Sequence, residues 1–346
     1  MRHLAPFALC LNTLASIGLA EPADLLVYEM EGYQDQEYYF SYYKKHLRSP
    51  NFQMFDDGHQ AFSRLLDGLD VDVVHVCSEY LTKYIDYDLI EPWDPSLAER
   101  LGFGNIEIEV PPTVLATDQY LVPAVFGRTL PVYNSALVPT GDMQSLDVFL
   151  NPDYAGQVSI PSDPIGLLSL GLLATGSSDI LTVTERQFQL AMDWIRLADA
   201  NEPIYWSDYE ELARMLGSGK VLISWTWSET GYLARQLDRS ISFANNPVEG
   251  TAAWVCGYAK TKKSNSNLEL IYDFANARSS PENIDILLRW GEGFPDVDVL
   301  HAHLSEDEII SRGLQMPDGP VMFMFPMESA LLKKAIDEIG KITNDS

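Results

Sequence analysis

The sequence predicts an α/β protein of two lobes joined by strands that cross between them. Three observations carry this. Apolar runs of strand length alternate with amphipathic segments of helix length, the alternation occurs twice, and no Pro- or Ser-rich linker separates the two series. Alternating strands and helices imply a parallel sheet covered on both faces. A chain that passes between two such units without a flexible linker is expected to cross in extended segments, which makes a hinge.

The elements follow in order. Asp24–Tyr28 is a short apolar run of strand type, and Gln36–Leu47 carries Tyr39, Tyr42 and Tyr43 at helical spacing. Asn51–Phe55 reads as a second strand, and His59–Leu69 sets Phe62, Leu65, Leu66 and Leu69 on one helical face. Val71–Val76 is a buried strand of β-branched residues. The second series follows Val132–Asn134. It comprises strand Gln157–Ile160, helices Leu167–Ala174 and Glu185–Ala200, strand Ile204–Trp206, helix Tyr209–Leu216, and strands Val221–Trp225 and Ala252–Tyr258. Helices at Leu268–Ala277, Glu282–Trp290 and Ser329–Ile342 complete the chain. Residues 21–130 with about 256–300 are expected to form the first lobe, and 131–255 with about 301–346 the second. No internal repeat or low-complexity tract is read.

The first twenty residues have the layout of a secretory signal peptide: Arg2 and His3, an apolar stretch to Leu19, then Ala20 before acidic Glu21 and Asp24. A free, monomeric protein in the periplasm is expected after cleavage, since no later apolar run is long enough to span a bilayer. Of 346 residues, 46% are hydrophobic and 21% charged, a globular composition. The formal charge of −27 argues against a nucleic-acid partner, which needs basic surface, and would draw cations inward. Cys77 and Cys256 remain after cleavage, and their distance in sequence leaves pairing open.

The motifs of known chemistry are missing. There is no G-x-S-x-G elbow, P-loop, H-E-x-x-H or C-x-x-C. Gly217-Ser218-Gly219-Lys220 follows a helix and precedes a strand, the reverse of a phosphate cradle, and reads as a turn. His301 and His303, on one side of a presumed strand, lack a third ligand and read as a surface pair. Tyr38-Tyr39 and Tyr42-Tyr43 read as packing on the sheet. The sequence thus predicts a binding protein without cofactor or metal, and not an enzyme. The competing class is an exported hydrolase with two acids across a cleft, for which no motif selects the acids. What stands out is aromatic residues beside polar ones at strand ends: Tyr33, Ser78-Glu79-Tyr80, Trp206-Ser207-Asp208, Trp225-Thr226-Trp227-Ser228 and Trp254-Val255-Cys256. Aromatic walls with carboxylates suit an organic cation.

Four segments then resemble the periplasmic spermidine/putrescine-binding proteins of ABC transporters. They are Asp72-Val73-Val74-His75-Val76-Cys77-Ser78-Glu79-Tyr80, Leu89-Ile90-Glu91-Pro92, Pro123-Ala124-Val125-Phe126-Gly127-Arg128-Thr129 and Asn151-Pro152-Asp153-Tyr154-Ala155-Gly156-Gln157-Val158. The resemblance implies a two-lobed periplasmic-binding-protein fold of type II, a hinge of crossing strands, a small-molecule ligand and an inner-membrane permease as partner. It implies that Tyr33 is an aromatic wall and that Ser78 and Tyr80 touch the ligand. By the same resemblance Asp163 receives an amine, Ser207 makes a polar contact, and Trp225 and Trp254 sandwich a methylene chain. Phe294 takes the place of a tyrosine. The chain departs where Cys256 stands for a carboxylate, Met30 for a tryptophan, Gly166 near a glutamate and Arg128 for a small residue. Glu79, or Glu29 and Glu31 near Tyr33, would restore charge. The implied ligand is a polyamine or, with Arg128 holding an anionic end, a zwitterion of betaine or amino-acid type.

Overall fold

In the computed structural model, residues 25–97, 119–264, 267–324 and 327–344 are described; the expected signal peptide lies outside them. The first series runs β1 (Leu26–Met30), α1 (Phe40–His46), β2 (Asn51–Phe55), α2 (Gly58–Leu66), β3 (Val73–Cys77), α3 (Ser78–Asp86) and β4 (Ile90–Glu91). The long β5 (Val122–Asn134) crosses to the second series: β6 (Val158–Pro161), α4 (Pro164–Ala174), α5 (Glu185–Asp199), β7 (Ile204–Trp206), α6 (Tyr209–Gly217), β8 (Ile223–Trp227), α7 (Ser228–Leu237) and β9 (Ile241–Phe243). β10 (Thr251–Thr261) crosses back to α8 (Leu268–Arg278), α9 (Ile284–Trp290), α10 (Val297–His303) and α11 (Glu306–Ser311). β11 (Val321–Phe323) and α12 (Ser329–Asn344) follow.

One sheet runs through the molecule in the order β2-β1-β3-β10-β5-β8-β6-β7, with β4 and β11 added to β10 and β9 to β5. β2, β1 and β3 are mutually parallel, as are β7, β6 and β8. Between these parallel triplets lie the two crossing strands, antiparallel to each other and to the strand each meets. The architecture is therefore a β-α-β-α-β-α unit used twice and joined at β5 and β10. A register shift between Cys256 and Gly257 bends β10 at the crossing. Only glycine fits at 257, because a Cβ there would stand 2.1 Å from the Val122 carbonyl oxygen.

Each half has its own core, as apolar burial requires of a lobe that must hold its shape alone. Leu25, Tyr42, Val73, Tyr258, Phe274 and Leu287 centre the first. Phe149, Leu168, Phe188, Ile195, Ile223 and Trp225 centre the second. The C-terminal Met322, Ala335 and Ile339 join the second core, and Leu304, Ile309 and Leu314 pack in the first. Two differences from the sequence reading matter for the site. The strand expected at Val221–Trp225 lies at Ile223–Trp227, and helices α3 and α7, not expected, begin directly at the ends of β3 and β8. His301 and His303 lie on α10 rather than on a strand.

Candidate ligand-binding site

The site is assembled by a device that occurs once in each lobe. β3 ends at Cys77 and α3 starts at Ser78; β8 ends at Trp227 and α7 starts at Ser228. Both serines are buried, and each Oγ accepts a backbone N–H from a crossing strand. Val255 donates to Ser78 at 3.4 Å and Arg128 donates to Ser228 at 3.3 Å. The following residue is a glutamate in both cases, Glu79 and Glu229, half-buried in the first helical turn. Each lobe thus presents a carboxylate beside the crossing, at the positive end of a helix.

Each of these acids feels the charge of another acid distant in sequence. Burial pushes the Glu79 carboxyl up to about 7, and the charge of Asp163 adds to this while Lys83 opposes it. Asp163 caps α4, its Oδ1 accepting from the N–H groups of Ile165 at 3.0 Å and Gly166 at 2.9 Å. It keeps open surface, yet the surrounding walls raise its carboxyl as well. In the second pair, burial raises Glu229 well above the usual carboxylate range, followed by the charges of Glu292 and Glu210. Glu292 is pushed up to about 7 by burial, against the Tyr33 hydroxyl that donates to its Oε1 and the charge of Arg278. Among the described residues, Glu79 Oε2 and Glu292 Oε2 are buried without a hydrogen-bond partner. Carboxyls that raise one another, two of them with a buried oxygen that lacks a donor among the described residues, favour a cation.

Aromatic rings wall this space. Tyr33 is half-buried, its ring 5.0 Å from that of His75. Trp254 packs against the cores of both lobes, and its Nε1 is buried without a partner among the described residues. Trp227 stands at the end of β8, edge-on to Trp206 at 5.1 Å and 6.3 Å from Tyr209. The Tyr209 hydroxyl is pushed up to about 12 by burial, with the charge of Glu229 next in effect. Tyr80 is half-buried beside Gly58, its hydroxyl raised by burial and then by Glu79 and Asp163.

Of the residues singled out from sequence, Tyr33 donates to Glu292, Ser78 bonds to β10, the charge of Asp163 acts on Glu79 and Tyr80, Trp254 lies over Gly127 at the crossing, and Ser207 is exposed just after β7. The other four are buried. Arg128 is 0% exposed. Its guanidinium donates to Asn245 Oδ1 at 3.2 Å, the Asn245 carbonyl at 3.1 Å, Thr251 Oγ1 at 2.7 Å and the Gln315 carbonyl. Trp225 is 0% exposed in the second core, because β8 runs two residues further than the sequence suggests and its end is Trp227. Phe294 is buried in the first core. Cys256 faces Cys77 across the β3/β10 ladder, Cα–Cα 3.9 Å, and the two form a disulfide. Glu229, Glu292 and Tyr209 were not anticipated, and Trp227 was noted only within the strand-end segment Trp225-Thr226-Trp227-Ser228. The signal for the first was available: Ser-Glu follows a strand in both halves, at Ser78-Glu79 and Ser228-Glu229.

No family model matches the chain, and no curated protein matches it. Solved structures do. The spermidine/putrescine ABC-transporter substrate-binding protein of Streptococcus pneumoniae, in complex with calcium and HEPES, superposes with a TM-score of 0.74 at 17% identity, over 93% of this chain and 98% of that one. A lipoprotein of Treponema pallidum gives 0.70 at 16% identity, over 93% and 99%. A periplasmic binding protein of A. tumefaciens B6 in complex with glucopine gives 0.68 at 15% identity, over 92% and 99%. At these identities the likeness establishes the fold, that of the two-lobed substrate-binding proteins. No described helix is long and apolar enough to cross a membrane.

Proposed function

We propose that this chain is the extracytoplasmic solute-binding component of an ABC uptake system, and that it captures an organic cation bearing two separated amine groups, a polyamine such as putrescine or spermidine. The observation that carries the reading is that the charge of Asp163 acts on Glu79 and that of Glu292 on Glu229, while Glu79 and Glu292 each keep a buried oxygen without a donor among the described residues. An ammonium between two carboxylates makes charge-assisted hydrogen bonds to both. Two such places, with Trp227, Trp254 and Tyr33 between and around them, suit a chain with amines at its ends and methylenes in its middle.

The same pairing supplies a reason for closure on ligand. Without a cation, bringing the lobes together sets like charges against each other, which favours the open form. A bridging ammonium reverses the sign of that interaction, so the ligand binds the closed state more tightly than the open one. The zwitterion alternative loses its main support, since the Arg128 guanidinium is committed to the hinge. An inner-membrane permease is the partner the reading requires. The chain does no covalent chemistry in it.

Titration calorimetry and thermal shift with putrescine, spermidine, butylamine, glycine betaine and oligosaccharides test the reading. Micromolar or tighter binding of a diamine, at least tenfold tighter than butylamine, is expected, with a matching rise in melting temperature. Preference for betaine, or an oligosaccharide that is cleaved during incubation, overturns it.

A further inference from the structure

Next to the cleft, one face of the β3/β10 ladder carries two successive cross-strand pairs, Cys77 opposite Cys256 and His75 opposite Tyr258. A ring nitrogen of His75 and the two sulfurs all lie within 4.8 Å of one another, the one such group of three metal-ligating side chains among the described residues. His75 is 2% exposed, and its Nδ1 lies 2.6 Å from Oε1 of Glu29, itself fully buried. The Tyr258 hydroxyl donates to Glu29 Oε2 at 2.9 Å, and Tyr33 covers the imidazole edge-on. His75 Nε2 has no partner among the described residues.

We propose that Cys77, Cys256 and His75 form a redox-gated metal site, closed while the disulfide stands and opened by its reduction to take one Zn(II) or a cation of similar softness. A structural staple accounts for the cystine alone. It does not account for an imidazole buried against it with one nitrogen fixed by a carboxylate and the other unsatisfied.

The chemistry is that of two thiolates and an imidazole, donors that zinc and related soft cations prefer. With metal–sulfur bonds of about 2.3 Å and a metal–nitrogen bond of about 2.0 Å, tetrahedral donors stand roughly 3.5–3.8 Å apart. That is within the spacing already present, once the sulfurs separate. The Glu29–His75 hydrogen bond is the carboxylate–histidine arrangement that orients a metal-bound ring. Opening needs a two-electron reductant of the dithiol class. The dithiol attacks the disulfide and leaves as its own disulfide, its two protons passing to Cys77 and Cys256; the metal then displaces both protons as the thiolates bind. Cys77 is half-buried at the end of β3, the most exposed of the three residues.

The full chain tests this. Half is reduced with a phosphine and desalted without oxygen, and both halves are titrated with Zn(II) against a chromophoric chelator and with Co(II), whose thiolate charge-transfer band reports sulfur ligation. One metal per reduced chain and none per oxidised chain is expected. His75→Gln is expected to weaken zinc at least tenfold and Cys77→Ser to remove the charge-transfer intensity of one thiolate. Glu29→Gln should weaken zinc by about tenfold to a hundredfold. If Glu29→Gln does not fold, the His75 and Cys77 variants decide. Equal zinc uptake by reduced and oxidised protein overturns the proposal, and so does reduced protein whose affinity ignores His75→Gln.

Discussion

Gly127 of β5 lies directly beneath the indole of Trp254 on β10, so close that a Cβ at 127 would stand 2.0 Å from Cζ2 of the ring. The two residues are register partners at the point where the crossing strands change lobes. The absence of a side chain on one strand lets the aromatic ring of the other lie flat over the hinge, touching both cores. A cleft wall is thereby built into the hinge itself.

Gly127→Ala should therefore act on the ligand through Trp254. The added methyl has no room, and the ring or the strand must shift. We expect a stability loss of about 1–3 kcal/mol, the usual cost of overpacking, and at least a tenfold loss of diamine affinity. Trp254→Ala should reproduce the affinity loss. Calorimetry at a temperature where both variants are fully folded checks it; wild-type affinity in Gly127→Ala would mean that the ring position is immaterial.

Arg128 was legible as a special residue but not as a hinge residue. Its neighbours in sequence suggested a cleft edge, whereas its partners Asn245, Thr251 and Gln315 are more than a hundred positions away along the chain. Burial pulls its guanidinium below the ordinary arginine range, and nothing in the short-range pattern announces that burial. Arg128→Met should cost about 2–4 kcal/mol in urea denaturation, because buried acceptors lose their donors. Affinity per folded molecule should stay within threefold of wild type. A large affinity loss without a stability loss would restore Arg128 to the ligand.

The fold was readable because period and alternation report burial, and burial repeats along each strand and helix. The site was less readable because Glu79 and Glu229 sit on α3 and α7, short helices that start at a strand end with no turn residue to mark them. In α7 a mid-helix Gly231 further weakens the helical signal. Trp225 and Trp227 illustrate the limit. They lie two residues apart in the same strand, and only the position of the strand end makes one core and the other wall.

The raised carboxyls fix a sign for pH dependence. Glu79 and Glu292 hold their protons up to about 7 in the folded chain, against the 4.5 of a free side chain. Between those values the folded state binds more protons than the unfolded one, so their contribution to stability is present below 4.5 and lost as pH rises through 7. Asp94, Glu185, Asp238 and Glu308, lowered by hydrogen bonds, act in the opposite direction. The measurement is thus a difference: the melting temperature of wild type minus that of Glu79→Gln should fall between pH 5 and pH 7.5. Diamine binding near neutrality should release protons, seen as a binding enthalpy that varies with the ionisation enthalpy of the buffer. Proton uptake would contradict the assignment.

The acid pairs make one further demand, on the protein without ligand. If Glu79 and Asp163, and Glu229 and Glu292, hold the lobes apart by repulsion, then neutralising one member of each pair removes the barrier to closure. The double variant Glu79→Gln, Glu229→Gln should be more stable than wild type at pH 7.5, by on the order of 1 kcal/mol per buried charge removed. Small-angle scattering should give it a smaller radius of gyration than unliganded wild type, whereas liganded wild type should match it. Its diamine affinity should fall, since each lost charged hydrogen bond is worth about 1.5–3 kcal/mol, or about tenfold to a hundredfold in affinity. Tighter structure and weaker binding in the same variant is an outcome that simple damage to the site does not produce. An unliganded variant that scatters like wild type and melts no higher would show that the pairs bind the cation without gating the hinge.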